Sequence, residues 1–549
     1  MKYLIILLTL LFYLIAANPT IAQPINPITD TLSDRLISEL GTNHHPVSTQ
    51  NTEAQKLFDR GLNLIYAFNQ EEAIRSFQQA AELDPKLAMA YWGIALALGP
   101  NINFNIESDQ ELAAYFAIQK ALKLSKKYPI SAPEIDYIKA LATRYTNNLP
   151  ADLQKLAVDY KNAMAELVKK YPNDLDAATL YAESAMDLHP WQLWSNDGKP
   201  TEDTPEIIAV LESVLERNPN HIGANHYYIH AIEASPHPEK ALPSANRLGK
   251  LAPGAGHLVH MPAHIYYNMG AYSKAAQTNQ NAIAIDKAYI EKYNVQGIYP
   301  IIYYNHNLDF LAIASSMAGN YEMAMKTANE FIENILPLVK YVPMAEGYVA
   351  TPLLIQLQFR DWNEILKTPK PDPNLPITTA FWHFAMAMAN AANSNIELAK
   401  QQRQEFIAAK QIISPDSLIG LNSTNHILNI AKNLLNGQIA RQKQDYPTAI
   451  KFFQKAIIAE DNLNYDEPPT WYIPCREFLG NLLLFTHNYP EAETVFRADL
   501  KKHPHYGRSL FGLHASLKKQ GKIEEAKLVK ADLKTAWKNS DTQLHLKEL

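Results

Sequence analysis

The stretch Ala54–Pro85, AQKLFDRGLNLIYAFNQEEAIRSFQQAAELDP, decides the fold. Within it Gly61, Ala73, Phe77, Ala80 and Pro85 are spaced 12, 4, 3 and 5 residues apart. Such spacing describes two helices joined by a turn, with small side chains where the helices touch and a Pro where the second must stop. The frame returns along the chain. Ala241 and Pro253 set a unit over 222–255, and Ala275 and Ala282 set the next over 256–289. The turns Gly319-Asn320-Tyr321 and Asp445-Tyr446-Pro447 precede Ala324 and Ala449 in the same way. Ala492, Phe496 and Pro504 belong to a frame beginning at 473, and Ala526 to another beginning 34 residues later at 507.

One helix pair cannot bury its own apolar face, so such units must stack. The frame resembles the tetratricopeptide repeat (TPR), a 34-residue helix-turn-helix. That resemblance implies an all-α, TPR-type solenoid of about a dozen helix pairs, wound as a right-handed superhelix with a concave groove. Ala90-Tyr91-Trp92-Gly93, the segments 226–230 (HYYIH) and 256–264 (GHLVHMPAH), and Trp471-Tyr472 with Arg476-Glu477 go further. They resemble a family of exported bacterial TPR proteins with a His-rich central repeat segment, over nearly the whole mature chain. The resemblance implies fold and export but no biochemical activity.

Composition agrees with this reading. Of 549 residues 47% are hydrophobic, which excludes a disordered chain, and a net charge of -6 excludes a polybasic nucleic-acid binder. With 19 Gly against 34 Pro and 29 Tyr, the chain suits helices punctuated by Pro better than Gly-rich turns between strands. Lys2, the apolar run Leu4–Ala17 and Thr20-Ile21-Ala22 form a signal peptide over 1–22, cut before Gln23. The run falls short of the roughly 20 residues that span a bilayer. No second long apolar run follows, so the mature chain is expected to have no transmembrane segment and to be periplasmic or secreted. Cys475 is the single cysteine, which excludes an intramolecular disulfide, and a lone Cys without a named base is expected to be inert. Residues 23–50, with Pro24, Pro27 and Pro46, read as an extended arm. The TPR array runs over 51–535, its His-rich repeats over 175–335, and a tail over 536–549. Asn101–Gln110, His189–Thr204 and Asp286–Tyr304 read as insertions that cap or line the groove, with the Tyr-rich part of the last a core element or a lid.

Seven of the 18 His lie between His221 and His264, where an even spread places one or two. His226 and His260 are 34 apart, as are His230 and His264, so the four occupy positions 5 and 9 of successive first helices. The TPR resemblance places positions 2, 5, 9 and 12 on the groove wall. Residues four apart share a helix face, and packed helices lie about 8–10 Å apart, so the four imidazoles are expected to meet. Glu183 at position 9 of an earlier first helix, His257 at position 2, Glu233 at position 12, and His306 and Asp309 at positions 2 and 5 of a later one extend the wall. Imidazole lone pairs with carboxylate charge are what zinc, copper, iron or manganese requires. There are ligands enough for two ions. His221, His237 and the pair His44-His45 rank lower, the last reaching the groove only if the arm folds over it.

Three functions compete. The first is an exported solenoid that binds a protein or peptide partner in its groove beside a transition-metal site. The second is a metal-dependent, hydrolase-like enzyme using the same cluster, with Glu183 or Asp309 as ligand or base. The third is a metal-free scaffold whose groove recognises an anionic peptide. Acid separates them, because protonation near pH 6.5 expels a metal but strengthens an anion groove. No Gly-rich phosphate loop, nucleophile elbow or paired CxxC appears.

Overall fold

The structure, a computed structural model, describes residues 39–546. Residues 1–22, expected to be a signal peptide, most of the expected arm and the last three residues lie outside the described residues. The chain is 70% helical. Helices follow one another as antiparallel pairs, from Thr52–Tyr66 with Gln70–Leu83 to Gly507–Lys519 with Ile523–Ala536. A two-residue ribbon, Leu418–Ile419 against Asn422–Ser423, is the one named strand pair among the described residues. The fold is therefore an all-α array of TPR-type helix pairs.

The spacing read from the sequence has a steric cause. A Cβ on Gly61 would come within 2.6 Å of the Phe77 ring, and a Cβ on Gly93 within 2.5 Å of the same ring. Phe77 thus fills a notch between the first helix of its own pair and the first helix of the next. Gly480 and Gly512 hold Phe496 in the same way, and Gly437 holds Phe453. Each aromatic is fully buried, so the small-aromatic-small pattern is a knob set into two facing notches.

The turns inside the pairs also share one device. Phe68, Arg360, Ser394, Gln444 and His487 all take left-handed backbone near φ +60°, and Gly319 does so at +80°. Asn or Asp follows each of them, and several of these cap the next helix: Asn69 accepts from Glu72 N, Asn320 from Met323 N, Asp361 from Glu364 N and Asp445 from Thr448 N. Predicted frame starts at 222, 256 and 507 coincide with the first residues of Ile222–Glu233, Gly256–His260 and Gly507–Lys519. The frame at 473 opens its helix two residues late, at Cys475, after Pro474.

One insertion, Asp286–Tyr304, differs from expectation. Asp286 lies inside the helix Tyr272–Tyr293, so the irregular connection before Asn305 begins only at Asn294. Its Tyr299–Tyr304 turn buries Tyr299 and Tyr303, the packing role of the two foreseen.

The described residues fall into two compact units, 39–265 with 281–295 and 266–280 with 296–546. They are called the N-terminal and C-terminal units below. In the N-terminal unit the end of the arm is tied down. Ser48 N donates to Glu134 at 2.7 Å, Thr49 Oγ1 to Asp84 at 2.7 Å, and His45 Nδ1 lies 2.9 Å from Asp176. In the C-terminal unit the tail is docked as well: Trp537 packs on Gly319 and Gly507, and Asp541 accepts from Tyr321 N and Glu322 N at the start of Tyr321–Ile335. No described helix is long and apolar enough to cross a membrane.

Candidate metal centre

The helix Ile222–Glu233 carries His226 and His230 one turn apart, and its last residue is Glu233. The helix Gly256–His260 carries His257 and His260, and the next, Pro262–Asn268, carries His264. The sequence suggested one helix through this second segment. Pro262 has no N–H to continue the ladder, and the chain restarts there. All five imidazoles belong to the N-terminal unit and are 0–4% exposed.

One ligand atom from each of His226, His230 and His257 lies within 4.8 Å of the other two. His226 Nε2 and His257 Nε2 stand 3.2 Å apart. With metal–nitrogen bonds of 2.0–2.1 Å, two ligands of a tetrahedral ion lie about 3.3 Å apart. Their separation is thus already that of two ligands on one ion. His260 Nε2 and His264 Nε2 are 2.6 Å apart, closer than two ligands of one tetrahedral ion. Of the four histidines related by the 34-residue translation, His226 and His230 stand in one group with His257, and His260 and His264 lie against each other.

The outer nitrogens settle the tautomers. His226 Nδ1 donates to the Tyr66 carbonyl at 2.7 Å. His230 Nδ1 and His264 Nδ1 donate to the two oxygens of Glu233, at 2.8 and 2.5 Å. Each of these bonds puts the ring's lone pair on Nε2. A carboxylate or carbonyl behind a histidine in this way is the usual support of a metal ligand. Glu233, foreseen only as one more member of the wall, is the group that orients two rings.

Burial keeps two of the rings, His226 and His257, neutral. It pushes His226 down to about 3, helped by His264 and His260 and opposed by the Tyr66 carbonyl, and it holds His257 well below the ordinary histidine range. Neutral imidazole is the form that ligates. Proton competition, expected from sequence near pH 6.5, is therefore displaced to lower pH in the folded chain. Aromatic rings enclose the triad. The Phe68 centroid lies 4.6 Å from His226, 5.9 Å from His230 and 5.5 Å from His257, and Trp191 meets His230 edge-on at 5.8 Å. Neither ring was singled out by the sequence. Phe68 had a signal, as the bulky residue at a left-handed turn position.

Glu183 occupies the helix position equivalent to His230, but it belongs to no group of neighbouring ligand atoms among the described residues. Its carboxyl sits by Asp187 and the buried Arg144, and burial together with Asp187 raises it well above the usual carboxylate range. His306 and Asp309 belong to the C-terminal unit, where burial lowers the first and raises the second to about 8.

His221 caps its own helix through Nδ1, which accepts from Ala224 N at 3.1 Å, and its Nε2 donates to Asp176. Asp176 also receives Tyr66 OH and His45, so its carboxyl is held well below its ordinary range against the effect of burial. The docked arm thus brings His45 to a second cluster with Asp174 and Asp176. His44 pairs with Asp59 at the surface, and His237 with Glu239.

Elsewhere Trp92, Trp471 and Tyr472 are packed inside, and Arg476 pairs with Asp461. Burial raises the Cys475 thiol well above its usual range, which agrees with an inert cysteine.

Fold and site together define an all-α TPR-type repeat protein with a buried imidazole centre. No family model matches the chain, and no curated protein matches it in sequence. Among solved structures it is similar to the human IFIT1 dimer with m7Gppp-AAAA, at 14% identity and TM-score 0.32, over 89% of this chain and 91% of that one. It is also similar to the APC/C hetero-tetramer Cut9-Hcn1, at 13% identity and TM-score 0.29, covering 89% and 74%. A third is the P58(IPK) TPR domain, at 10% identity and TM-score 0.23, covering 86% and 100%.

Proposed function

We propose that this chain is an exported TPR-type binding protein whose N-terminal unit holds a transition metal ion on His226, His230 and His257. The observation that carries the reading is the triad itself, with three rings whose ligand atoms lie within 4.8 Å of one another. Hydrogen bonds to Tyr66 O and Glu233 support the Nε2 lone pairs of His226 and His230. An all-nitrogen set of neutral imidazoles suits zinc, copper, nickel or iron(II) better than magnesium or calcium, which prefer oxygen. The rings are buried, which favours an ion that braces the stacked first helices over one that turns over substrate, since a catalytic ion keeps a position open to the substrate. The bound ion would join Ile222–Glu233 to Gly256–His260 and hold the adjoining repeat surfaces in register for a protein or peptide partner.

Export to the periplasm or beyond rests on the apolar run Leu4–Ala17 and the small residues before Gln23. An anion groove built on protonated histidines is disfavoured, because burial keeps His226 and His257 neutral. The test is metal uptake by untagged protein. Zinc offered to metal-stripped chain should bind stoichiometrically and raise the melting temperature, and His226→Ala with His257→Ala should abolish both. Uptake unchanged by that double substitution overturns the assignment.

A further inference from the structure

Asp176 ties the end of the arm to the histidine triad inside the N-terminal unit. Its Oδ1 accepts from Tyr66 OH at 2.6 Å, His221 Nε2 at 3.2 Å and Asn43 Nδ2 at 3.3 Å. Its Oδ2 accepts from His45 Nδ1 alone among the described residues, at 2.9 Å. Two of these four donors lead to the triad. Tyr66 turns its carbonyl to His226 Nδ1 at 2.7 Å, and two residues on, the Phe68 ring packs on all three triad imidazoles. Gly223 leaves room for Tyr66, since a Cβ there would come within 2.4 Å of its ring. His221 caps Ile222–Glu233, the helix of His226 and His230, by accepting from Ala224 N. The other two donors, Asn43 and His45, belong to the arm.

The arm is held by polar contacts whose opening leaves the repeats folded. His45 N donates to Asp59 at 3.0 Å, Gln55 donates to the His45 carbonyl at 2.9 Å and accepts from Val47 N at 3.0 Å, and Ser48 N donates to Glu134. A segment held in this way opens locally, at a lower free energy than the helices beneath it. On opening, Asp176 Oδ2 loses its donor, although the Asp176 side chain is only 11% exposed. A carboxylate left short of a partner at such a place turns toward the donors that remain, Tyr66 and His221. Either shift reaches His226, through the carbonyl that orients its ring or through the cap of its helix.

We propose that the arm is a latch on the metal centre, with His45 and Asp176 as positioning residues that favour the ligating arrangement of His226 and His230 while the arm is docked. The latch rests on the metal reading above and adds its regulation. Coupling of this kind is reciprocal, so an ion on the triad holds the arm down by the same factor as the docked arm tightens the ion.

Hydrogen exchange of the unaltered chain at pH 7.5, followed by mass spectrometry with and without zinc, reads one direction. Zinc should slow exchange across 44–49 by about fivefold or more, the lower end of typical coupling between sites, and leave Ile523–Ala536 in the C-terminal unit unchanged. The slowing should vanish in the chain with His226→Ala and His257→Ala. Zinc affinity reads the other direction. His45→Ala should weaken it by about fivefold or more with helix content unchanged. His45→Asn, whose amide nitrogen still donates to Asp176, should recover most of the loss. A chain that takes up no zinc at the triad removes the metal reading and the latch with it. If the chain binds zinc there, three results overturn the latch and leave the metal reading standing: arm exchange equally fast with and without the ion, a folded His45→Ala chain within about twofold of the parent affinity, or a His45→Asn chain as weak as His45→Ala.

Discussion

Glu233→Gln probes how the histidine centre is held. The carboxylate accepts from His230 Nδ1 at 2.8 Å and from His264 Nδ1 at 2.5 Å, one ring on each oxygen. Glutamine has nearly the same size but offers one acceptor oxygen and one donor NH2. Only one ring can then keep its Nδ1 proton. The other must accept from the amide, which moves its own proton to Nε2 and removes the lone pair there. If the affected ring is His230, the triad loses one of its three ligands; if it is His264, the neighbouring pair loses its order and the triad loosens. Losing a carboxylate behind a ligating histidine typically costs 10–100-fold in metal affinity, or roughly 1.4–2.7 kcal/mol. Competition of the chain with a chromophoric chelator for zinc at pH 7.5 reads the change directly, and circular dichroism confirms that the helices persist. An affinity within twofold of the parent would refute the role given to Glu233.

Three further outcomes follow from the geometry. His226→Ala with His257→Ala should strip the ion, whereas His260→Ala should weaken it less and exposed His237→Ala not at all; equal loss from the last would place the ion elsewhere. Acid should destabilise the metal-free chain below pH 6.5, since the unfolded chain takes up protons that folded His226 and His257 refuse until far lower pH. The stability held above pH 6.5 is then lost at up to about 1.4 kcal/mol per pH unit for each ring. Unfolding free energies from urea titrations at pH 7.5 and 5.0 should differ by some 4 kcal/mol for the two, and a flat profile contradicts their burial in neutral form. Phe496→Ala empties the notch between Gly480 and Gly512 and should cost about 3–5 kcal/mol in the C-terminal unit, while denaturation showing less than about 1 kcal/mol would mean that the notch collapses.

The repeat was legible because its cause is local. A small residue 16 positions before an aromatic, as Gly61 stands to Phe77 and Gly480 to Phe496, is a contact within one helix pair, so spacing along the chain reports it. The site was legible in part for the same reason. His226, His230 and Glu233 share one helix, and their i, i+4 and i, i+3 separations announce a common face. What spacing could not give came from elsewhere in the chain. The Tyr66 carbonyl and the Phe68 ring reach His226 across some 160 residues of sequence. Pro262 divided a segment that the 34-residue translation treated as one helix, and His257, placed by that translation at the edge of the cluster, stands in the triad. Glu183 had the right helix position, but Arg144, 39 residues earlier, drew its carboxyl into a different buried group. Periodicity places a side chain on a face; the charges opposite that face decide where its polar atoms go.

The most direct test of the account is the metal content of chain purified without a histidine tag, measured by inductively coupled plasma mass spectrometry after zinc reconstitution at pH 7.5 and removal of excess. About one tightly held ion per chain is expected at a three-histidine centre, and none in the chain with His226→Ala and His257→Ala. A wild-type chain that remains folded and takes up no transition metal would contradict the account, leaving a repeat fold whose histidines serve packing alone.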